Sequence, residues 1–197
     1  MSLAPCLFMG SDIMIVINAP FYIEVSEDTD YSLNSTDNVH NYDIILNPEN
    51  CHWNDYHKSF SIIMDDKSAL LICGYYSYPE NVLFVDNLLV IMCENIIYKI
   101  DVDKMEVVFR KVMYDLSKTT FDIYKVSNGY IVYGEMEIAK LDNDFNVINI
   151  FMGRDIFVTI DGLNAFEMNE NEIVVRDFLG NTYYLDYNCK LIKEVIK

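Results

Sequence analysis

Short apolar runs, broken at close intervals by Asn, Asp and Ser, dominate this chain. Ile, Val, Tyr and Phe recur in blocks of four to seven, and blocks of that length between turn formers predict strands rather than helices. The pattern is most regular from Tyr78 onward. Val82–Val85 ends at Asp86-Asn87, Leu89–Met92 ends at Glu94-Asn95, and Ile96–Val102 and Val107–Phe109 follow. The same order returns twice. Ile123–Val126, Tyr130–Tyr133, Ile138–Leu141 and Val147–Phe151 form a second set. Ala165–Met168, Ile173–Val175, Tyr183–Leu185 and Leu191-Ile192 form a third.

The recurrence has a period. Asn87, Asn128 and Asn169 lie 41 residues apart, and Glu94 with Glu135 and Asp101 with Asp142 share that offset. In the third unit Asp177–Asn181 adds residues and delays Asp186. A unit of about 40 residues holding four strands has the spacing of a β-propeller blade. Asp101, Asp142 and Asp186 each close a third strand and are expected to cap the following turn through a side-chain oxygen. The predicted class is all-β and antiparallel, with propeller-like four-stranded repeats of about 41 residues. The alternative is a two-layer β-sandwich, for which the echo would be accidental.

Ile97-Tyr98-Lys99-Ile100-Asp101, followed by an apolar strand ending at Phe109, resembles the third-to-fourth strand hairpin of quinoprotein-type propeller repeats. The resemblance covers residues 79–197 and implies architecture alone. Such repeats carry a Thr-Gly turn and a Trp on the last strand, where this chain has Lys104-Met105 and Phe109. No cofactor-binding residue of a propeller enzyme maps onto the chain, and no cofactor is expected.

Residues 1–78 are less regular. Met14–Asn18 and Phe21–Val25 read as one hairpin, and Phe60–Met64 with Ala69–Cys73 as another around Asp65-Asp66-Lys67. Between them, residues 27–57 form a long polar insertion with one short strand near Tyr42–Leu46. Connections of that length are uncommon in compact domains and are functional or mobile. The whole chain, 1–197, is read as a single domain: N-terminal hairpins over 1–78 and three repeats over 79–197. The hairpins at 14–25 and 60–73 could supply a degenerate fourth blade. An open array, or two copies completing each other, is the other outcome, so a homo-oligomer is compatible with the pattern.

Composition narrows the function classes. With 52% hydrophobic and 14% aromatic residues the chain is too apolar for a disordered protein. The net charge is −17, unevenly spread. Residues 1–57 hold nine carboxylates and no Lys or Arg, a charge of −9, against 14 basic and 22 acidic residues thereafter. Such a field disfavours nucleic acid and anionic membranes and steers basic partners. The five cysteines are odd in number and lack CxxC spacing, the usage of a reduced cytoplasmic protein. No basic-start secretory signal is visible, and the apolar run over Met1–Met9 is broken by Pro5 and too short to span a membrane.

Candidate chemistry concentrates in one segment. His40, His52 and His57 lie near Cys51, Asp55 and the single tryptophan, Trp53. Imidazole, thiolate and carboxylate are zinc ligands, but Cys51-His52 separated by four residues from His57 matches no metal motif, so no metal site is assigned. Trp and Tyr are frequent interface anchors, and the segment is read as a binding surface of His52, Trp53, Tyr56 and His57. Asp101-x-Asp103 and Asp142-x-Asp144-x-Asn146 resemble the opening of a calcium loop but lack its glycine and distal acid; they read as hairpin turns. No nucleophile elbow, phosphate-cradling glycine loop or basic stripe is present, and no catalytic residue is assigned. The chain therefore reads as a non-enzymatic protein-binding module, with a basic protein as partner in the manner of an immunity or inhibitor protein. The alternative is an enzyme that binds a small ligand or metal through Cys51–His57.

Overall fold

The structure, a computed structural model, describes residues 23–47, 57–74 and 82–197. Among these residues there are sixteen strands and no helix. They fall into two compact units, Met1–Lys111 and Val112–Lys197.

The first unit holds two four-stranded sheets. One comprises β1 (Ile23–Glu27), β2 (Ile44–Leu46), β3 (His57–Met64) and β4 (Lys67–Gly74), ordered β1-β3-β4-β2. The hairpin expected around Asp65-Asp66 is β3–β4, with Met64 opposite Lys67 and Asp65 in the left-handed region. The short strand expected within the insertion is β2, which runs parallel to β4, Ile44 opposite Ala69. Ile23–Val25, read above as half of a hairpin with residues 14–18, pairs with β3; residues 14–18 lie outside the described residues. The N-terminal sheet is therefore not a simple meander. β1 and β2 lie at opposite edges of this sheet, and residues 28–43 carry the chain from one edge to the other.

The second sheet is a meander of β5 (Val82–Val85), β6 (Leu88–Cys93), β7 (Ile96–Asp101) and β8 (Glu106–Val112). Asp86 and Asn87, both with positive φ, make the two-residue turn between β5 and β6, the mirror-image turn that suits strand twist. Ala69–Cys73 and Leu89–Cys93 are buried without alternation. Continuous burial marks strands covered on both faces.

The second unit repeats the meander twice. β9 (Thr120–Val126), β10 (Gly129–Gly134), β11 (Ile138–Leu141) and β12 (Val147–Phe151) form one sheet. β13 (Phe166–Met168), β14 (Ile173–Arg176), β15 (Thr182–Leu185) and β16 (Leu191–Val195) form the other. Ile131 and Ile138 pack with Phe157, Ile173, Val175, Tyr183, Leu185 and Cys189 in a shared core. Phe166 stacks on Tyr124 and Tyr133 at 5.1 and 4.8 Å between centroids. Among the described residues the strands are thus divided among four separate sheets of four, three of them meanders, rather than between the two sheets of a sandwich.

The three turn aspartates occupy equivalent positions. Asp142 Oδ1 accepts the N–H of Asp144 at 2.9 Å and of Asn146 at 2.8 Å. Asp186 Oδ1 accepts those of Asn188 and Lys190 at 2.8 and 2.9 Å. The residue three places on is left-handed in both, Phe145 (φ 57°) and Cys189 (φ 56°), as in a type I turn closed by a bulge. Asp101 caps Asp103 and Lys104 in a turn one residue longer, with Met105 left-handed. Asp177 builds the same device between β14 and β15, where Gly180 (φ 85°) takes the left-handed place. The calcium-like spacing is turn chemistry: these oxygens accept backbone N–H groups.

Two of the sequence equivalences are looser. Asn87 and Asn128 sit in two-residue turns, whereas Asn169 opens a four-residue loop whose N–H bonds to Glu172 O. Glu94 and Glu135 share a position along the repeat but not a role. Glu94 Oε1 accepts the N–H of Gly74 at 2.9 Å. In the next sheet the matching bond, from Ser117 N–H at 2.8 Å, goes to Glu137.

Candidate binding surface on the acidic loop

Residues 28–43 join β1 to β2 and are internally hydrogen-bonded. Asn38 staples the loop: its Oδ1 accepts Ser32 N–H at 2.8 Å, and its Nδ2 donates to Ser32 O at 2.8 Å and Ser35 O at 3.2 Å. Ser35 Oγ accepts Asp37 N–H at 3.1 Å. Both ends are tied to the sheet, by Asp28 N–H to Ser59 O and by Asp43, whose N–H and Oδ2 bind the backbone of Ser68. Amide and hydroxyl side chains here satisfy backbone groups that no ladder reaches.

An aromatic and charged cluster lies along the loop. Tyr42 OH donates to Asp28 Oδ2, and the ring meets Tyr31 edge-on at 5.7 Å between centroids. Burial, with the bond to Asp28, pushes the Tyr42 hydroxyl up to about 12. The hydroxyl therefore stays protonated and works as a donor. His40 is exposed, its Nδ1 3.8 Å from Asp28 Oδ2 and its ring 6.3 Å from that of Tyr42. Asp–Tyr–His groupings can serve acid–base chemistry, but here Tyr42 is tied to a carboxylate and His40 faces solvent.

The loop's charge is one-sided. Glu24, Glu27, Asp28, Asp30, Asp37 and Asp43 carry it, with no Lys or Arg between residues 23 and 47. Glu27 pairs with Lys58 at 3.4 Å, while Asp28 and Asp43 are used within the loop. Asp30 and Asp37 are exposed, and their carboxylates accept no hydrogen bond among the described residues. These two are free to meet a cationic group.

The residues read from the sequence as the binding surface lie mostly outside the described residues. His52, Trp53 and Tyr56 lie outside the described residues, as do Cys51 and Asp55. His57 opens β3, its backbone opposite Gly74. Of the histidine-rich stretch, His40 is the member whose side chain is described, beside Asp28 and Tyr42. The sequence reading missed Tyr31, Asp28, Asn38 and Tyr42 as a cluster. Their signal was the mixture of tyrosines with Asn, Ser and Asp, which marks a self-bonded loop rather than a solvated one.

No family model matches the chain, and no curated protein matches it. Similar solved structures include the WD40 domain of Neurospora crassa Pan2 (12% identity, TM-score 0.44, 72% of this chain and 47% of that one). The AfRom2 CNH domain is 8% identical with a TM-score of 0.47, over 73% and 48% of the two chains. A protein of unknown function from Bacteroides caccae is 12% identical with a TM-score of 0.42, over 72% and 57%. The chain thus spans about half the length of the structures it matches. Among the described residues no helix is long and apolar enough to cross a membrane. By its sheets, the chain is all-β among the described residues, with four four-stranded sheets of which three are meanders of the propeller-blade type.

Proposed function

We propose that this chain is a non-enzymatic binding module whose acidic loop receives a basic protein. The observation that supports this reading is the ordered loop 28–43, which holds Asp30 and Asp37 exposed and unbonded in a segment without a basic residue. A preformed loop loses less entropy on binding than a disordered one, and uniform negative charge steers cationic partners. His52, Trp53, Tyr56 and His57, which follow the loop in sequence, belong to the same reading, the aromatics as anchors. A partner neutralised in the manner of an immunity or inhibitor protein is the finer form of the same reading.

Titration with Lys/Arg-rich peptides and small basic proteins at rising ionic strength tests it. Between about 0.01 M and about 0.1 M salt the screening length falls from roughly 30 Å to roughly 10 Å, and affinity is expected to fall about tenfold or more. Asp30→Asn with Asp37→Asn should lower affinity and flatten the salt dependence. Trp53→Ala and Tyr56→Ala should weaken binding, while His52→Ala and His57→Ala are tolerated. Salt-independent binding, or full affinity in the double Asn variant, would sink this reading. Stoichiometric metal lost in the two histidine variants would instead establish the enzymatic alternative at Cys51–His57.

A further inference from the structure

A pair of thiols lies between the two sheets of the first unit, and the proposed binding surface makes no use of it. Cys73, next to last in β4, and Cys93, the last residue of β6, are fully buried, with their Sγ atoms 3.2 Å apart. Their strands belong to different sheets, so the contact crosses from one sheet to the other. The surroundings are fixed by hydrogen bonds. Asn47 Nδ2 donates to Ile72 O at 3.0 Å and faces Cys93 Sγ at 3.7 Å, and Cys93 Sγ lies 3.7 Å from Ile72 O.

We propose that Cys73 and Cys93 form a redox couple, a dithiol that oxidants of the disulfide class convert into a disulfide joining β4 to β6. One thiolate attacks the oxidant's S–S bond, giving a mixed disulfide and releasing one thiol. The second cysteine, as thiolate, then attacks the protein sulfur of that bond; the Cys73–Cys93 bond forms and a second thiol leaves. The two cysteines lose two electrons and two protons, and the oxidant becomes two thiols. A disulfide requires the sulfurs at about 2.05 Å, a movement of roughly 1 Å from the present separation.

The couple is guarded. The hydrogen bond with Cys93 and burial hold the Cys73 thiol well above its usual range, and the thiolate is the reacting species. Oxidation is therefore slow in the closed fold and proceeds through local opening. Asn47 follows the last residue of β2, at the end of the acidic segment. Oxidation removes the S–H of Cys93 and changes what Asn47 Nδ2 faces.

An equilibrium measurement avoids the question of access. The full chain is equilibrated in buffers of reduced and oxidised glutathione, folded and in urea, then quenched with acid and mapped by mass spectrometry. The Cys73–Cys93 link should form in the folded chain with an effective concentration at least about tenfold above that in the unfolded chain. Cys73→Ser and Cys93→Ser should each abolish it, and Cys189→Ser should leave it intact. An effective concentration less than about tenfold above the unfolded value, or preferred pairing of either cysteine with Cys6, Cys51 or Cys189, overturns the proposal. The folded and unfolded comparison uses the unaltered chain, so a variant that fails to fold does not decide the result.

Discussion

Replacing Asp177 by alanine should be among the most damaging single changes in the second unit. Asp177 is 1% exposed, and its carboxylate accepts three hydrogen bonds: Asn181 N–H at 2.9 Å, Asn181 Nδ2 at 2.9 Å and Tyr183 OH at 2.7 Å. Tyr183 OH in turn accepts Arg154 N–H at 3.0 Å. A chain of bonds therefore runs from the segment after β12, through β15, to the β14–β15 turn. Bonds to a charged acceptor contribute about 1.5–3 kcal/mol each, and partners left unsatisfied cost about 1–3 kcal/mol. These terms overlap, so the loss expected for Asp177→Ala is about 3–5 kcal/mol, as for breaking a buried charged network. Domain stabilities lie near 5–15 kcal/mol, so the change removes a large part. Tyr183→Phe should cost about 1–3 kcal/mol.

The double variant tests the network itself. Because both residues share one bond, their losses should fall short of additivity by about 1 kcal/mol or more. Urea unfolding followed by circular dichroism gives the energies, with hydrogen exchange at β14 and β15 amides to assign the loss to the second unit. Acid provides a further check. Burial alone would raise the Asp177 carboxyl, but the hydrogen bonds from Asn181 and Tyr183 outweigh it and leave the pKa lowered. Its contribution is therefore present above the unfolded carboxyl value and is lost as pH falls through the folded one. Asp177→Asn should lose that acid-side decline. Strictly additive losses, or less than about 0.5 kcal/mol for Asp177→Ala, would refute the reasoning.

Other changes follow from buried groups of the same unit. Glu137 is 4% exposed and holds Ser117 through its N–H and hydroxyl, yet burial raises its pKa. Stability from this group is full below the unfolded pKa and is lost as pH rises through the folded one, so Glu137→Gln should raise the melting temperature at neutral pH and flatten that decline. Lys140 is 3% exposed, and burial lowers its pKa; the charge is unfavourable in the fold, and Lys140→Met should stabilise by about 0.5–2 kcal/mol in denaturant melts. Phe145 is fully buried and left-handed, stacked on Tyr130 at 4.5 Å. Phe145→Ala should cost about 3–5 kcal/mol, and Phe145→Gly about 1 kcal/mol less, because glycine accepts the left-handed backbone.

Much of the scaffold was legible along the chain because hairpin chemistry is local. An apolar strand, an aspartate, and a bulged turn three residues later are set by neighbours, so Asp101, Asp142 and Asp186 could be aligned without coordinates. Asp177 was read as an interruption of the third unit; it is another copy of the same turn, concealed because it lies one strand earlier. Glu137 was passed over for Glu135 because spacing along the chain does not tell which carboxylate turns inward. The N-terminal sheet defeated the reading for a non-local reason. β2 pairs with β4 in parallel, across an excursion whose length carries no pairing signal.

The binding surface divides the same way. Composition alone located the negative field ahead of Lys58, since charge is a sum over residues and needs no fold. That Asp43 and Asp28 are consumed in holding the loop, while Asp30 and Asp37 stay open, depended on which backbone groups lacked partners. The meeting of Cys73 with Cys93 was equally out of reach, because both looked like ordinary small residues inside apolar strands. Sequence by itself determined the strands, their turns and the sign of the charge, all properties of short range or simple sums. Tertiary structure decided which sheets face each other and hence which acids, thiols and amides meet, because those contacts join residues whose separation along the chain carries no energy until the sheets pack.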